Sequence, residues 1–346
     1  MSGPLATTLS GFATRMRVSL AIGDWETTVE DWDGIALEYH VPKRLAEHAD
    51  RSFRHTKAMM EFLSEYTGMR YPWPEYRQVC VDEYIFGGME NITASTLNAN
   101  TLHDERAHLD WRSEGLVAHE AAHQWFGDYV TCRDWSDIWL HEGFATYAES
   151  LYLENLHGRE AADEHFHHLR KYVRCDSRLI PEEHANFEEA YSFGIYVRGA
   201  WVMNTLRHFV DDDEAWFESL RSFQREFRYD VAETADFQRV LERVTKRDWQ
   251  AFFDQWIRGS GYPQLKGEIR VEGQALALEI ENKGSCETQF TVPITLRWRE
   301  GCSEVQRSVE LHPGSNRVTI ETTKPIEGLQ LVGLRRILGN HRIRVH

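Results

Sequence analysis

Short runs in which apolar and polar residues alternate occupy residues 12–42, for example residues 15–20. This period of two predicts β-strands. Residues 47–66 instead place their apolar side chains at helical spacing and end just before Gly68, which is typical of a helix C-terminus. A further apolar run at residues 78–81 predicts another strand.

Helical spacing returns over residues 114–156, where a polar loop around residues 132–134 interrupts it, and further helices are predicted to about Ile257. The sequence Gly-Ser-Gly-Tyr-Pro at residues 259–263 then predicts a loop. Beyond it, six short alternating segments with turns at regular intervals indicate a small β-sandwich. They cover residues 265–272, 274–281, 289–298, 304–311, 316–321 and 328–332.

These patterns predict an α+β protein in which a mostly helical domain with an N-terminal β portion precedes a small all-β sandwich. The distribution of charge supports a boundary near Leu265. The first 265 residues carry 27 basic and 45 acidic residues, whereas the remainder carries 12 and 10. The predicted divisions are a β-rich lead-in at 1–40, a mostly helical domain at 41–264, the sandwich at 265–332 and a basic tail at 333–346, which we expect to be disordered or to belong to a missing segment.

Composition narrows the classes of function. The formal net charge of −16 over 346 residues argues against a nucleic-acid partner, whose phosphates would be repelled. No apolar run approaches the roughly 20 residues that span a bilayer, and residues 1–11 lack the features of a signal peptide. The five cysteines are scattered without Cys-x-x-Cys spacing, so we expect no disulfide framework and a reducing, cytoplasmic location.

The most informative local sequence is His-Glu-Ala-Ala-His at residues 119–123. Residues four apart share one face of a helix, so the imidazoles of His119 and His123 can bind one metal ion. Glu120 lies beside them and can serve as a general base toward a water molecule. So short a motif also arises by chance among 17 histidines, and the alternative is a surface helix with two unrelated histidines.

A second predicted helix begins near Ile138 and carries Glu142, nineteen residues after His123. An antiparallel helix pair would bring this carboxylate to the same metal ion. Two imidazoles and one carboxylate leave a fourth position for water, as a catalytic zinc site requires.

These residues resemble the zinc signature of the M1 family of gluzincin-type aminopeptidases. Three other segments of the chain resemble further motifs of the same family. Residues 87–91, Gly-Gly-Met-Glu-Asn, resemble the exopeptidase motif of that family. Residues 196–200, Tyr-Val-Arg-Gly-Ala, resemble its Tyr-x-Lys-Gly-Ala segment with Arg in place of Lys. Residues 252–263 resemble the end of its catalytic domain, and the resemblance extends over about residues 12–332.

The resemblance implies a thermolysin-like catalytic domain that binds one zinc ion. By this resemblance His119, His123 and Glu142 would be the metal ligands. Glu120 would polarise the attacking water. The implied activity is hydrolysis of the N-terminal peptide bond of peptides.

The resemblance also implies how a peptide with a free N-terminus would bind. Glu90 would bind the α-amino group. Gly87 and Gly88 would present their backbone to the peptide as an edge strand does, with Met89 beside the pocket for the first side chain. Tyr196 would stabilise the oxyanion of the tetrahedral intermediate.

Two positions near the metal signature leave their roles open. His141 stands where the family usually has Asn, and it is either a partner that supports the metal ligands or a neutral exchange. Glu149 lies seven residues after Glu142 on the same helical face. It could orient a ligand through a hydrogen bond or remain a solvated carboxylate.

Family members usually carry an N-terminal β domain, and this chain begins near the junction. The sequence therefore indicates either an unusually small member or a fragment. Two alternatives to a plain aminopeptidase follow. One is a catalytically weak or inactive binding protein, against which intact Glu120 and Tyr196 argue. The other is an aminopeptidase that also opens lipid epoxides, as one branch of the family does.

Overall fold

The computed structural model describes residues 19–181 and 193–346. It contains both helices and strands in several sheets, so the predicted α+β class is confirmed. The helices are α1 (Ala49–Phe53), α2 (Thr56–Thr67), α3 (Glu114–His123), α4 (Trp139–His157), α5 (Arg159–Leu169), α6 (Phe193–Val210), α7 (Asp213–Phe227), α8 (Thr234–Thr245) and α9 (Gln250–Phe252), which a π-helix at Phe253–Arg258 extends.

The strands of the first half of the chain are short, and those of the second half are longer. They are β1 (Trp25–Trp32), β2 (Ile35–Pro42), β3 (Glu75–Val81), β4 (Gly88–Met89), β5 (Ala94–Asn98), β6 (Val130–Cys132), β7 (Asp230–Ala232), β8 (Pro263–Glu272), β9 (Ala275–Gly284), β10 (Val292–Glu300), β11 (Ser303–Leu311), β12 (Gly314–Glu321), β13 (Ile326–Val332) and β14 (Asn340–Val345). Most of the strand predicted at residues 15–20 lies outside the described residues.

The chain divides into two compact units. The first comprises Met1–Ala162 and Phe217–Val244, and the second comprises Asp163–Trp216 and Thr245–His346. This division groups residues 163–216, which include α6, with the β-sandwich. It therefore differs from the limits proposed from the sequence, which remain predictions.

A five-stranded sheet in the first unit has the order β1-β2-β3-β5-β4. The central strands β2, β3 and β5 run parallel, and the outer strands β1 and β4 are antiparallel to their neighbours. Leu37, Tyr39 and Val41 of β2 are buried at alternate positions, as the sequence pattern predicts. Because β4 is last in this order, its free side is an edge at which another strand could pair.

Helices α3 and α4 form the centre of the first unit. Residues 117–123 of α3 are all buried, and so are residues 139–148 of α4. Small residues such as Ala121, Ala122 and Ala145 allow these helices to pack closely, and each is fully buried. The predicted interruption of the helical pattern is confirmed, and β6 lies there and pairs with β7.

The second unit contains the predicted β-sandwich. One sheet has the order β12-β9-β8-β14 and the other β11-β10-β13, and all six predicted strands are present with shifted ends. Alternate residues of each sheet are buried, as expected when one face packs on a core. These include Leu276, Leu278 and Ile280 of β9 and Ile294, Leu296 and Trp298 of β10.

The expectation that residues 333–346 form a disordered basic tail is wrong. They contain a 3₁₀ turn at Leu334–Arg336 and the strand β14, which pairs in parallel with β8. Ile337 and Leu338 are buried in the core of the second unit. None of the described helices is both long and apolar enough to cross a membrane.

Candidate metal centre

Three side chains from α3 and α4 converge in the first unit. The Nε2 atoms of His119 and His123 lie 3.0 Å apart. The Oε2 atom of Glu142 lies 3.3 Å from the first and 3.2 Å from the second. All three side chains are buried. The structure therefore brings together the three residues whose spacing suggested a metal site.

The distances suit a metal ion better than hydrogen bonds. A tetrahedral ion about 2.0–2.1 Å from imidazole nitrogens and carboxylate oxygens separates its ligand atoms by roughly 3.3 Å. Each imidazole also has its other nitrogen engaged: Nδ1 of His119 lies 2.8 Å from Oε1 of Glu149, and Nδ1 of His123 lies 3.0 Å from the carbonyl oxygen of Phe126. Because those acceptors require Nδ1–H donors, the neutral form of each imidazole has its lone pair on Nε2, and the two lone pairs point at the same place.

The electrostatics of the triad also favour a cation. Burial alone would lower the pKa of His119, but hydrogen bonds to Glu142 and Glu149 outweigh burial and raise it. Burial acts in the same way on His123, where the charges of Glu90 and Glu142 raise the pKa to about 9. Carboxylates that hold protons on two buried imidazoles will equally attract a metal cation. The residues present therefore fit a metal ion.

Glu120 lies on α3 between the two histidines and is 4% exposed. Its Oε2 atom is buried and has no hydrogen-bond partner among the described residues. Burial raises the pKa of Glu120 to about 8, although the nearby charges of His119 and His123 oppose the shift. An unpartnered carboxylate oxygen of this basicity beside a metal triad is suited to accept a proton from water.

Gly88 of the 87–91 motif allows strand β4 to pack directly against Glu120. A Cβ atom at Gly88 would lie 2.1 Å from Oε1 of Glu120, so only glycine fits there without displacing that side chain. Gly88 and Met89 form β4, which pairs with β5. Glu90 follows β4 immediately and is half-buried, and its charge acts on both Glu120 and His123. The structure thus brings Gly88 and Glu90 close to the residues of the metal-binding helix.

His141 is not arranged as a fourth ligand. Its Nε2 atom accepts a hydrogen bond of 2.7 Å from the backbone N–H of Cys132. Burial, together with the charge of the neighbouring His123, lowers the pKa of His141 to about 3. His141 is therefore a neutral imidazole that holds β6 in place, and it supports the backbone behind the site.

Glu149 supports the site through His119, because its carboxylate accepts the Nδ1–H of that ligand. The sequence alone is compatible with either role for Glu149, and the structure selects the hydrogen-bonded alternative.

Gln124 is a supporting residue that the sequence analysis missed. It is fully buried, and its Oε1 atom accepts the backbone N–H of Thr93 while Nε2 donates to Asp128. Its Nε2 atom also lies 3.4 Å from the carbonyl oxygen of Glu90. Gln124 therefore fixes the segment after β4 against the metal-binding helix. Its position directly after the histidine motif was the available signal.

Tyr196 belongs to the second unit. It is half-buried on α6. Two residues later on this helix, Arg198 is fully buried and donates hydrogen bonds to the carbonyl oxygens of Gly261, Trp256 and Gly259 at 2.6, 3.0 and 3.1 Å. The residue that replaces the family's Lys therefore anchors α6 to the segment before the sandwich.

Comparison with known proteins points to one family. Residues 51–256 match the Peptidase family M1 domain. The chain is 28% identical over 264 residues to "Probable aminopeptidase 2" of Sulfurisphaera tokodaii, covering 69% of this chain and 32% of that protein. It is 29% identical over 299 residues to "Aminopeptidase M1" of Arabidopsis thaliana, covering 81% of this chain and 33% of that protein. The chain thus spans about a third of the length of these relatives.

The fold is similar to that of a solved aminopeptidase. Legionella pneumophila aminopeptidase A, whose crystal structure is in complex with aspartic acid, superposes with a TM-score of 0.77 at 18% sequence identity. The match covers 92% of this chain and 38% of that one. At this level of identity the likeness establishes the fold.

Proposed function

This chain belongs to peptidase family M1, and on that basis we propose that it is a zinc-dependent aminopeptidase that hydrolyses the N-terminal bond of peptides. One observation carries the proposal: β4, the last strand of its sheet among the described residues, contacts Glu120 at Gly88, and Glu120 lies between two histidines of the metal triad. A peptide that paired with this edge would run alongside the group suited to activate water.

The proposed binding mode explains why only one residue would be removed. A substrate strand that pairs with Gly88 and Met89 would place its end beside Glu90. The carboxylate of Glu90 would pair with the α-ammonium group and so fix the register of the peptide. The polar contacts of Gln124 with the segment after β4 would hold Glu90 in position.

The proposed chemistry assigns a distinct task to each buried polar group. Glu120 would accept a proton from the attacking water through Oε2 and later deliver it to the leaving amine. Zinc, held by His119, His123 and Glu142, would lower the pKa of water and polarise the scissile carbonyl. The role of Tyr196 as oxyanion donor rests on the family resemblance alone and is kept as part of the proposal. A cytoplasmic location likewise remains a prediction from the cysteine content.

The test is a panel of aminoacyl chromogenic substrates assayed on the full chain with and without a chelator. We expect about one zinc per molecule, loss of activity on chelation and recovery with zinc. Glu120→Gln should retain the metal and lose at least about 100-fold in kcat. Glu61→Gln, which changes an exposed carboxylate of the same unit, is the matched control and should behave as the parent.

The other functions left open by the sequence make different predictions. A metal-binding protein without catalytic activity would hold zinc but release no amino acid from any member of the panel. A chain that also opened epoxides would convert a lipid epoxide in a chelator-sensitive reaction. Activity that persisted in metal-free protein, or in Glu120→Gln, would refute the proposed mechanism.

A further inference from the structure

Two cysteines that are 111 residues apart in the sequence meet in the second unit. Cys175 lies shortly after the 3₁₀ turn Arg170–Tyr172, and Cys286 lies in the connection after strand β9. The Sγ atom of Cys286 lies 2.9 Å from the carbonyl oxygen of Cys175. The side chain of Cys175 is also close enough to raise the pKa of the Cys286 thiol.

Backbone contacts hold both cysteine-bearing segments against the same stretch of chain. The N–H of Ser285 donates to the carbonyl oxygen of Tyr262 at 2.9 Å, and the N–H of Tyr262 donates to Oγ of Ser285 at 3.0 Å. On the other segment, the N–H of Leu179 donates to the carbonyl oxygen of Ile257 at 3.3 Å. The proximity of the thiols is therefore built into the fold of this unit.

Oxidants can reach this pair from solvent. Cys175 is exposed and Cys286 is half-buried, whereas Cys80 and Cys132 are buried. Cys302 is also exposed, in the turn between β10 and β11, and it serves as an internal comparison. Partial burial, followed by the contacts with Cys175, raises the pKa of the Cys286 thiol. Cys286 is thus suited to react second.

We propose that Cys175 and Cys286 form a reversible disulfide when the protein meets a peroxide. The Cys175 thiol loses its proton, the thiolate attacks one peroxide oxygen, and the O–O bond breaks to give a sulfenic acid and hydroxide, which takes up that proton and becomes water. The Cys286 sulfur then attacks the sulfenic sulfur, the S–O bond breaks, and a second water leaves with the thiol proton. Two thiols are oxidised and one hydrogen peroxide is reduced to two waters.

The disulfide would act on the connection that precedes the sandwich. It would link the segment of Cys175 covalently to the turn of Cys286, and both segments already contact residues 257–262. Closing a loop of 111 residues restricts the unfolded chain and so stabilises the folded unit. The inference concerns two cysteines of the second unit and does not depend on the proposed aminopeptidase activity.

The experiment treats the purified full chain with hydrogen peroxide, blocks free thiols with an alkylating agent and digests it without reduction. Mass spectrometry should find a Cys175–Cys286 peptide pair that is two hydrogen atoms lighter than the separate peptides. Dithiothreitol should remove it. Cys175→Ser and Cys286→Ser should each abolish the linked pair, and Cys302→Ser should leave it unchanged.

Thermal unfolding gives an independent readout of the same bond. Peroxide-treated protein should melt about 5 °C or more above the reduced protein, since a long closed loop is stabilising. The shift should be absent in Cys175→Ser and present in Cys302→Ser. Separate oxidation of Cys175 and Cys286 to sulfinic acids without a linked peptide would overturn the proposal. Equal cross-linking of either residue to Cys302 would overturn it as well.

Discussion

Gly88→Ala is predicted to disable Glu120 while leaving the metal ligands intact. Gly88 is not among the glycines with positive φ, so its backbone accepts alanine. The added Cβ would nevertheless lie 2.1 Å from Oε1 and 2.4 Å from Cδ of Glu120. Ordinary contact begins near 3.4 Å, so the strand and the carboxylate must separate by about 1 Å. Because Glu120 is only 4% exposed, it has little room in which to move.

The expected loss follows from that displacement. A misplacement of about 1 Å in a reacting group commonly costs about 100-fold in rate. Complete loss of a general base costs about 10²–10⁴-fold. We therefore expect kcat to fall by about 100-fold or more, which corresponds to about 2.7 kcal/mol in activation free energy. The metal content should not change, because the Cβ meets none of the three triad side chains among its nearest atoms.

Gly87→Ala is the matched control for this substitution. The nearest atom to a Cβ at Gly87 is Cδ1 of Leu116 at 3.4 Å, which is ordinary van der Waals contact. Such a change should shift free energies by no more than about 0.5 kcal/mol, so kcat should stay within about threefold of the parent. The two variants add the same methyl group to neighbouring residues, and only the one at Gly88 reaches Glu120.

The assay combines steady-state kinetics on a chromogenic aminoacyl substrate with metal analysis and thermal unfolding. If the added methyl group displaces Glu120, Gly88→Ala should show a large loss in kcat. Its zinc content should be unchanged, and its unfolding midpoint should stay close to that of the parent. Parent-like kcat in Gly88→Ala would show that Glu120 is not the base or that the edge strand is placed differently during catalysis. Equal losses in both glycine variants would attribute the effect to the strand rather than to Glu120.

The remaining predictions concern three supporting residues. Glu90→Ala should raise KM and lower kcat together, because the carboxylate that binds the substrate ammonium is lost. N-acetylated peptides, which lack the ammonium, should be poor substrates of the parent, and kinetics on paired free and acetylated substrates check both expectations. Glu149→Ala should weaken zinc binding by about 10–100-fold in a chelator competition, because His119 loses the acceptor that orients it. His141→Ala should lower the free energy of unfolding by about 1–3 kcal/mol in denaturant titration, because the buried N–H of Cys132 loses its acceptor.

The sequence was sufficient to predict the side chains of the triad because their spacing is governed by helix geometry. His119 and His123 are one helical turn apart, so any helix that includes both places them on one face. Placing Glu142 beside them required a second helix in the right orientation, and the family resemblance supplied that expectation. The structure brings all three atoms within 4.8 Å of one another.

The supporting contacts could not be predicted in the same way. The spacing of Glu149 and Glu142 indicates a shared helical face, but it does not reveal what lies opposite. The hydrogen bond from Cys132 to His141 closes a turn whose shape depends on the pairing of β6 with a distant strand. Long-range packing therefore decides whether a polar side chain near the signature is solvated or structural.

Strand β14 escaped prediction for a related reason. It is at the edge of its sheet, and its burial pattern contains no fully buried residue. Polar and apolar residues alternate only over the last four positions, Arg-Ile-Arg-Val at 342–345, and basic side chains dominate the segment. Its pairing with β8 joins residues more than 70 positions apart, and nothing local in the sequence signals that partner.

Arg198 stands where the family motif has Lys, and its buried contacts explain the difference. A buried cation without a carboxylate is costly, and burial lowers the pKa of Arg198 to about 10. Three carbonyl oxygens offset that cost, and they come from Trp256, Gly259 and Gly261 at the junction with the sandwich. The guanidinium reaches these three acceptors from one planar group, whereas the ammonium of a lysine is a single point charge. Tyr196 lies on the same helix two residues earlier. The hydrogen bonds of the Arg198 guanidinium, which anchor α6, therefore also fix the position of that tyrosine within its unit.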